Sequence, residues 1–497
     1  MGGNTQHKSV TANETAHPGF LLCSAICFIV LTGAWLRFHD LGVDSLWRDE
    51  AVSWLQSKDS LADLIRRTAE DNYPPLHNLC LFFAMKLFGD SEWSLRLPSA
   101  IFGTANLLSM YWLGYMTVGR HAGLLAAAFL ALSEFHIWYS QEARMYALLS
   151  LAVTLFAASS FYFFRSPTTS RAALVSLAAL ALLYSHPFGL LNWMAIFAAI
   201  CFSTQTSPTF DARRTLAIWA VSNLIAVAGF APWAWLLLRR AIIIESAGFW
   251  IPYPSLKSVY DDLMRIVGGP LTAAILLVGF GLALLPRRQA GLLPARCGPH
   301  GEELRTQIDP LPVFFLWASL PIAIALLISI VSTPIFLPRY LIGSLPALLL
   351  AAASGLSRFS RSWLGYGLMA LSVMMVTVSY VRSPSDYRED WRGVSALLHE
   401  RLRPLDCVLV PGRNAVVALQ YYSRKEFSCV LLWNSGDPSE SLSLSPEKIS
   451  GNRLFAVFFP ISFRSQRDQV SATLHSDLWS VQEQVRFHHL DVIELSK

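Results

Sequence analysis

The stretch FLLCSAICFIVLTGAWLRFHDLGVDSLWRDEAVSW, residues 20–54, passes from almost unbroken apolar sequence into three adjacent charges, Arg48, Asp49 and Glu50. Its first part, Phe20 to Leu36, is long enough to cross a hydrocarbon core of roughly 30 Å. The basic flank ahead of it is thin and AWLRFHD offers no small-x-small cleavage site, so it reads as an uncleaved first span and not as a signal peptide. The charged triplet therefore follows a membrane boundary, and the fold depends on how often the apolar pattern recurs.

It recurs at about 97–117, 122–140, 145–164, 172–186, 188–203, 215–238, 270–286, 312–333, 340–356 and 363–381, which with the first run makes eleven spans. Of 497 residues, 54% are hydrophobic and 15% charged, the composition of a polytopic membrane protein. The segment PPLHNLCLFFAMKLFG, 74–89, is too short after its two prolines and contains Lys86, so it reads as a re-entrant or interfacial helix. After Val381 the long apolar runs stop. The chain is thus expected to divide into a membrane domain, 1–381, whose outer loop 38–96 carries juxtamembrane helices, and a small soluble α/β domain, 382–497. In the latter, 390–402 and 415–422 read as helices, and CVLVPG (407–412) and RLFAVFFP (453–460) as buried strands.

The net charge of +5 is spread between apolar runs and forms no dense basic stripe, which argues against a nucleic-acid partner. It orients the chain instead. One set of connections holds Arg120, Arg165, Arg171, Arg213, Arg214, Arg287, Arg288, Arg296, Arg305, Arg358 and Arg361, and the positive-inside rule places that set in the cytoplasm. The N-terminus then lies inside, and an odd number of spans puts the C-terminal domain outside, in the periplasm if the membrane is the inner one. If 74–89 crossed, the basic connections would face the wrong side. Seven cysteines show no CxxC spacing; Cys407 and Cys429 share the C-terminal domain, where the sequence leaves a disulfide open.

With this topology the polar motifs share the outer face. Asp49 and Glu50 follow the first span; a single acidic pair at an interface is as readily a tolerated pair as a site. Asp71 stands just before Tyr73-Pro74-Pro75, where prolines restrict the chain next to a carboxylate that could act as a base. Arg96 opens the next long span, Gln141, Glu142 and Arg144 lie between two others, and Arg339 sits in LPRYLIG. Arginines at span ends also occur simply because they snorkel. Together, outer carboxylates and arginines suit an anionic lipid headgroup beside a reacting hydroxyl. His77 and His186 are too far apart in sequence to suggest a metal pair, no HExxH, Walker or GxSxG pattern occurs, and Trp47, Trp54, Trp93 and Trp138 read as interfacial anchors.

The segments SLWRDEAVSW, DNYPPLHNL, LFGDSEWSLRLPSAIFG, GRHAGLLAAAFLALSEFHIWYSQEARMYAL and LLYSHPFGLL, with weaker echoes in FLPRYLIGSLPALLLAAASGL and DYREDWRGVSALL, resemble the bacterial branch of the protein O-mannosyltransferase superfamily. That superfamily also includes aminoarabinose transferases. The resemblance implies an all-α polytopic membrane protein of GT-C architecture, with about 11–13 transmembrane helices and the small C-terminal soluble α/β domain. It implies a glycosyltransferase that moves a sugar from a polyprenyl-phosphate donor to a glycan, lipid or protein acceptor outside the membrane. It further implies Asp49 as catalytic base, and Glu50, Asp71, Arg96, Gln141, Glu142, Arg144 and Arg339 around the substrate, Arg96 meeting the lipid phosphate. The chain lacks the long luminal insertion of the eukaryotic mannosyltransferases. No cofactor is required by these residues, although a divalent metal could replace part of the arginine clamp. A transporter or flippase of a lipid-linked saccharide is the rival expectation, and the C-terminal domain is a candidate selector of the acceptor.

Overall fold

The computed structural model describes residues 18–205, 210–247, 251–285, 308–359, 370, 373–374, 388–423, 429–433, 452–459 and 479–496. The expected span at 363–381 and the expected domain boundary at 381/382 lie outside the described residues, apart from isolated positions. Helix α1 (Pro18–Phe38) leads through a turn into the short helices α2 (Arg48–Ser57), α3 (Leu61–Ala69) and α4 (Leu76–Phe88). Short helices thus occupy the expected loop 38–96, and α4, at 13 residues, is short for a crossing. The remaining helices of this part follow: α5 (Glu92–Thr117), α6 (Arg120–Leu132), α7 (Glu134–Ser140), α8 (Tyr146–Arg165), α9 (Thr169–Ser185), α10 (Phe188–Gln205), α11 (Phe210–Ala247), α12 (Leu256–Val267), α13 (Pro270–Leu284) and α14 (Pro310–Val331). A 3-10 turn, Pro338–Ser344, runs directly into α15 (Leu345–Leu356).

Among the described residues four helical stretches are long and apolar enough to cross alone: Tyr146–Arg165, Arg213–Ile242, Pro310–Val331 and Pro338–Leu356. Two more apolar stretches are bent pairs of helices. The run expected at 122–140 is α6 and α7 joined at a 63° bend, and the run expected at 270–286 is the continuous α13, which α12 meets at 77° just ahead of it. Each break has a chemical cause. Ser133 stops α6 and its hydroxyl caps α7 by accepting the His136 N–H at 3.3 Å. At the second, Gly268 and Gly269 take φ of +85° and +94°, a region glycine enters without steric cost, and Pro270 restarts the helix. The carbonyls freed at the first bend are not left bare: the fully buried Arg37, at the end of α1, donates to Leu130 and Ala131 at 2.9 and 3.2 Å.

Packing separates central from peripheral helices. The α8 window is 89% buried, whereas that of α11 is 28% buried, as expected for a helix facing lipid on most sides. Helices α13 and α15 approach until a side chain on Gly355 would collide with the Gly279 carbonyl.

The C-terminal part adds α16 (Trp391–Arg401), α17 (Arg413–Ser423) and strands β1 (Cys407–Pro411), β2 (Val430–Trp433), β3 (Arg453–Phe458), β4 (Ser480–Phe487) and β5 (Leu490–Ser496). The sheet order is β2-β1-β3-β5-β4; β1 is parallel to β2 and β3, and β5 is antiparallel to β3 and β4. Both expected helices and both expected strands are present. Cys407 and Cys429 form a disulfide across β1 and the start of β2. The helices cover one face of the sheet, with Trp391, Leu398, Leu419, Val410 and Phe455 in the shared core.

Candidate active site

The three adjacent charges of the opening stretch face three ways, because α2 begins at Arg48 and successive side chains leave a helix about a third of a turn apart. Arg48 turns to the C-terminal part, where its Nε donates to Glu389 at 3.0 Å. Glu50 turns inward and is completely buried. Asp49 faces a partly open surface, 26% exposed, with its Oδ2 3.9 Å from Nη2 of Arg339.

Around Asp49 the structure gathers residues from three distant segments. Arg144, from the link between α7 and α8, donates through Nη1 to the Asp49 carbonyl at 3.3 Å and to the Ser53 hydroxyl at 3.1 Å. Its guanidinium lies 5.0 Å from the centre of the Tyr73 ring. Tyr73 in turn shares a 2.8 Å hydrogen bond with the hydroxyl of Tyr340, next to Arg339. Arg144 thus approaches one ring of this tyrosine pair and Arg339, 5.8 Å from the centre of the Tyr340 ring, approaches the other. Arg339 also stands 5.7 Å from the centre of the Trp47 ring, within cation–π range.

Glu50 and Arg96 form a separate, fully buried unit. Arg96 donates through Nε to Glu50 Oε1 at 2.8 Å and through Nη2 to Oε2 at 2.7 Å. Its remaining donors go to the carbonyls of Leu41 (3.1 Å), Asp44 (2.9 Å) and Ser45 (2.9 Å). All five N–H groups of the guanidinium are therefore taken. Glu50 Oε1 also accepts the Ala143 N–H at 2.8 Å, and Oε2 the Trp47 N–H at 3.3 Å. Burial alone would push the Glu50 carboxyl up, but the Arg96 charge and hydrogen bonds, the Arg388 charge and the Ala143 N–H outweigh it and hold the group below its ordinary value. Arg96, expected from the sequence to meet a lipid phosphate, thus has all its donors engaged by Glu50 and by carbonyls of the 41–50 loop.

Two other expected site residues are likewise hydrogen-bonded within the protein. Gln141 donates to the carbonyls of Leu36 and His39 at 3.1 and 3.0 Å, stitching the end of α1, and does not reach Asp49. Asp71 accepts from Gln56 at 2.5 Å and from the Asn72 N–H at 2.7 Å, and Gln56 accepts from Asn78 at 2.7 Å, so this carboxylate ties the Pro-Pro segment to the far end of α2.

Glu142 is buried and unusual. Its Oε1 accepts the Trp138 indole N–H at 2.7 Å, while Oε2 has no partner among the described residues. Burial, then the Glu50 charge, raises its carboxyl to about 7, against the opposing pull of Arg388, Arg339 and the Trp138 hydrogen bond.

Arg388 was not anticipated as a site residue, although it stands in DYREDWRG. It is 7% exposed, pairs with Asp44 at 2.7 Å, donates to the Gln141 carbonyl at 3.0 Å and lies 4.8 Å from the centre of the Trp138 ring. Trp138 therefore does more than anchor the interface. Further contacts fasten the C-terminal part to the same loop: Tyr422 accepts the Leu46 N–H at 2.6 Å and donates to Glu92 at 3.1 Å, and Arg392 pairs with Glu92 at 2.6 Å. Arg265, exposed on α12, has its charge within reach of Tyr139, as does Arg339. Among the described residues no three His, Cys, Asp or Glu side chains converge as a metal site. A divalent ion in the clamp would have to draw ligands from the phosphate as well.

Residues 72–236 match the family model described as dolichyl-phosphate-mannose-protein mannosyltransferase, less than half of the chain. No curated protein matches the chain in sequence. Among solved structures, ArnT from Cupriavidus metallidurans in the apo state is similar at 15% identity and a TM-score of 0.60, covering 95% of this chain and 98% of that one. The same protein bound to undecaprenyl phosphate is similar at 14% identity and a TM-score of 0.56, covering 96% and 97%. The Archaeoglobus fulgidus oligosaccharyltransferase in the apo form follows at 12% identity and a TM-score of 0.52, covering 92% and 72%. The resemblance read in the sequence is therefore borne out, and with it the fold class: a multi-pass membrane protein of GT-C architecture carrying a small five-stranded C-terminal sheet.

Proposed function

We propose that this chain, a GT-C membrane protein whose family model and structural neighbours are those of glycosyltransferases, moves a sugar from a polyprenyl-phosphate donor to a hydroxyl of an acceptor outside the cytoplasm. The observation that carries the reading is the pairing of a partly open carboxylate, Asp49, with Arg339 at 3.9 Å, while Arg144 holds the Asp49 main chain from behind.

The chemistry asked of such a site is modest. The acceptor oxygen attacks the anomeric carbon as the bond from that carbon to the phosphate oxygen breaks, and the electron pair leaves with the phosphate. A polyprenyl phosphate departs as an anion, so it needs positive charge more than a proton donor. Arg339, with Arg144 beside it, supplies that charge. The proton of the attacking hydroxyl passes to Asp49 on the opposite side of the sugar, which gives inversion in one displacement. Glu50 and Arg96 take no part in these transfers and set the position of the loop on which Asp49 rides.

The N-terminus lies in the cytoplasm and the C-terminal domain outside an inner membrane in this reading. The basic bias of the opposite loops supports that orientation. So does the Cys407–Cys429 bridge, since disulfides persist in oxidising compartments. Because the C-terminal part clamps the 41–50 loop, it is also well placed to meet the acceptor.

Purified protein in nanodiscs, supplied with undecaprenyl-phosphate sugars and extracted envelope glycolipids, tests the reading when products are followed by mass spectrometry. The Asp49→Asn variant should bind donor and lose turnover. A transporter of the lipid-linked saccharide has no need of a base, and unchanged activity in that variant would favour it.

A further inference from the structure

We infer that His186 and Tyr146 are anion-binding residues, neutral hydrogen-bond donors that complete the phosphate cradle begun by Arg144 and Arg339. The inference rests on the donor reading above and adds two residues to it that neither the sequence motifs nor the chemistry of transfer had assigned.

The geometry of His186 fixes its proton. Residues 186 and 187 link α9 to α10, and the ring nitrogen Nδ1 accepts the N–H of Phe188 at 3.0 Å. An imidazolium would set a donor against that donor, so the ring is neutral and its single proton is on Nε2. The Nε2–H is buried and has no protein acceptor among the described residues. The ring is 1% exposed.

Nor is it alone. The hydroxyl of Tyr146, fully buried, and the Nε–H of Arg144 also lack protein partners among the described residues. The His186 and Tyr146 rings are 5.9 Å apart, and His186 lies 5.4 Å from Tyr73 and 5.0 Å from Tyr340. The charges of Arg144 and Arg339 reach both His186 and Tyr146. An unmatched buried donor costs on the order of 1–3 kcal/mol, and native interiors leave few of them. Three in one cluster, one on the Arg144 guanidinium and two within reach of the Arg144 and Arg339 charges, call for an acceptor that is negatively charged and carries several oxygens. Asp49 and Asp71 do not meet the need: Asp49 faces Arg339, and both Asp71 oxygens are engaged by Gln56 and Asn72. A phosphate does. The division of labour is physical: guanidiniums supply charge, while a neutral imidazole and a phenol supply direction and add no net charge to a buried site.

The shared chemistry is a phosphate group, and its source is either the lipid headgroup or free phosphate. Binding of undecaprenyl phosphate in nanodiscs and of inorganic phosphate in buffer is measured by titration calorimetry on the full chain and on the His186→Phe, His186→Gln, Tyr146→Phe and Arg339→Gln variants, with a thermal melt for each. His186→Phe should weaken lipid phosphate about tenfold, the value of one hydrogen bond to a charged group. His186→Gln, which keeps an N–H donor, should recover most of that loss, and Tyr146→Phe should weaken binding several-fold. If inorganic phosphate shows the same pattern, the cradle reads the phosphate alone; if it fails to bind any form, the lipid chain contributes the affinity, and both results support the cradle. Equal losses in the Phe and Gln variants of His186 would overturn the inference, because ring shape and not the donor would then matter. Wild-type binding in the His186 and Tyr146 variants with a loss in Arg339→Gln would also overturn it. Wild-type binding in all of them, Arg339→Gln included, would instead remove the donor reading on which it stands.

Discussion

Asp49 and Glu50 are neighbours in sequence and opposites in surroundings: Asp49 is partly open beside Arg339, whereas Glu50 is wholly buried and doubly hydrogen-bonded to Arg96. One acidic pair thus supplies the proposed base and the anchor of the loop that carries it.

The two carboxylates should therefore fail differently. Asp49→Asn keeps the size of the side chain and disturbs no buried pair, so its melting temperature should stay near that of the parent while turnover falls by roughly 10²–10⁴. Glu50→Gln leaves the buried Arg96 charge uncompensated, and breaking a buried pair in this way costs about 3–5 kcal/mol. Thermal melts alongside turnover separate the two; a stable, inactive Glu50→Gln protein would contradict the division.

A related contrast concerns the arginines. Arg96→Lys replaces a five-donor fork with a compact charge that cannot serve Glu50 and three carbonyls at once. It should lower stability by about 3 kcal/mol without a specific loss of lipid-phosphate affinity in the protein that remains folded. Arg339→Gln should melt normally and bind the lipid phosphate more weakly. Affinity for undecaprenyl phosphate, read against the melt of each variant, decides.

The difference between these arginines marks where the sequence stops being informative. Apolar runs of span length, the helical spacing of 390–402 and the short buried strands were legible because burial imposes a period on residue type. The β4–β5 hairpin was not anticipated, since β4 is an edge strand whose SVQEQVRF is mostly exposed and carries no apolar run. An arginine at a span end reads the same whether its donors are free or spent. That Arg96 is consumed by Glu50 and by the carbonyls of residues 41, 44 and 45 is a property of how the loop closes over it. The hydrogen bonds of Gln141 to the end of α1 are likewise a tertiary fact. Arg388 stood in a segment that resembled the superfamily, and its Arg-Glu-Asp run was the available signal.

Glu142 should make stability depend on pH. Its carboxyl is raised from 4.5 to about 7 in the folded protein, so below 4.5 folded and unfolded forms are both protonated and nothing is lost. As pH rises from there, the unfolded form releases its proton first and the folded form is penalised progressively, reaching about 3 kcal/mol above pH 7. Glu142→Gln keeps an acceptor for Trp138 and removes the titration. The variant and parent should melt together at pH 4.5 and diverge by pH 8, the variant higher; identical profiles would show that Glu142 is not held protonated.

The C-terminal part should act on the site through the 41–50 loop. Tyr422 supplies the acceptor for the Leu46 N–H, and Arg388 neutralises the region around Glu50 and Glu142 while bonding Asp44 and the Gln141 carbonyl. Tyr422→Phe strands a backbone donor and should cost about 1–3 kcal/mol, with a fall in turnover as the loop loosens. Arg388→Gln removes a charge that pulls the Glu142 carboxyl down, so that carboxyl rises further, and the decline in stability, which still begins near pH 4.5, continues to a higher pH and becomes larger. In a Glu142→Gln background the same Arg388 substitution should add little between pH 5 and 8, because the group that responds there is gone and the Arg388 charge on Glu50, whose carboxyl is held low, matters only at more acid pH. A double-mutant cycle of melts at pH 5 and 8 measures this coupling, and additive pH effects of the two substitutions would mean that Arg388 does not act on Glu142 at all.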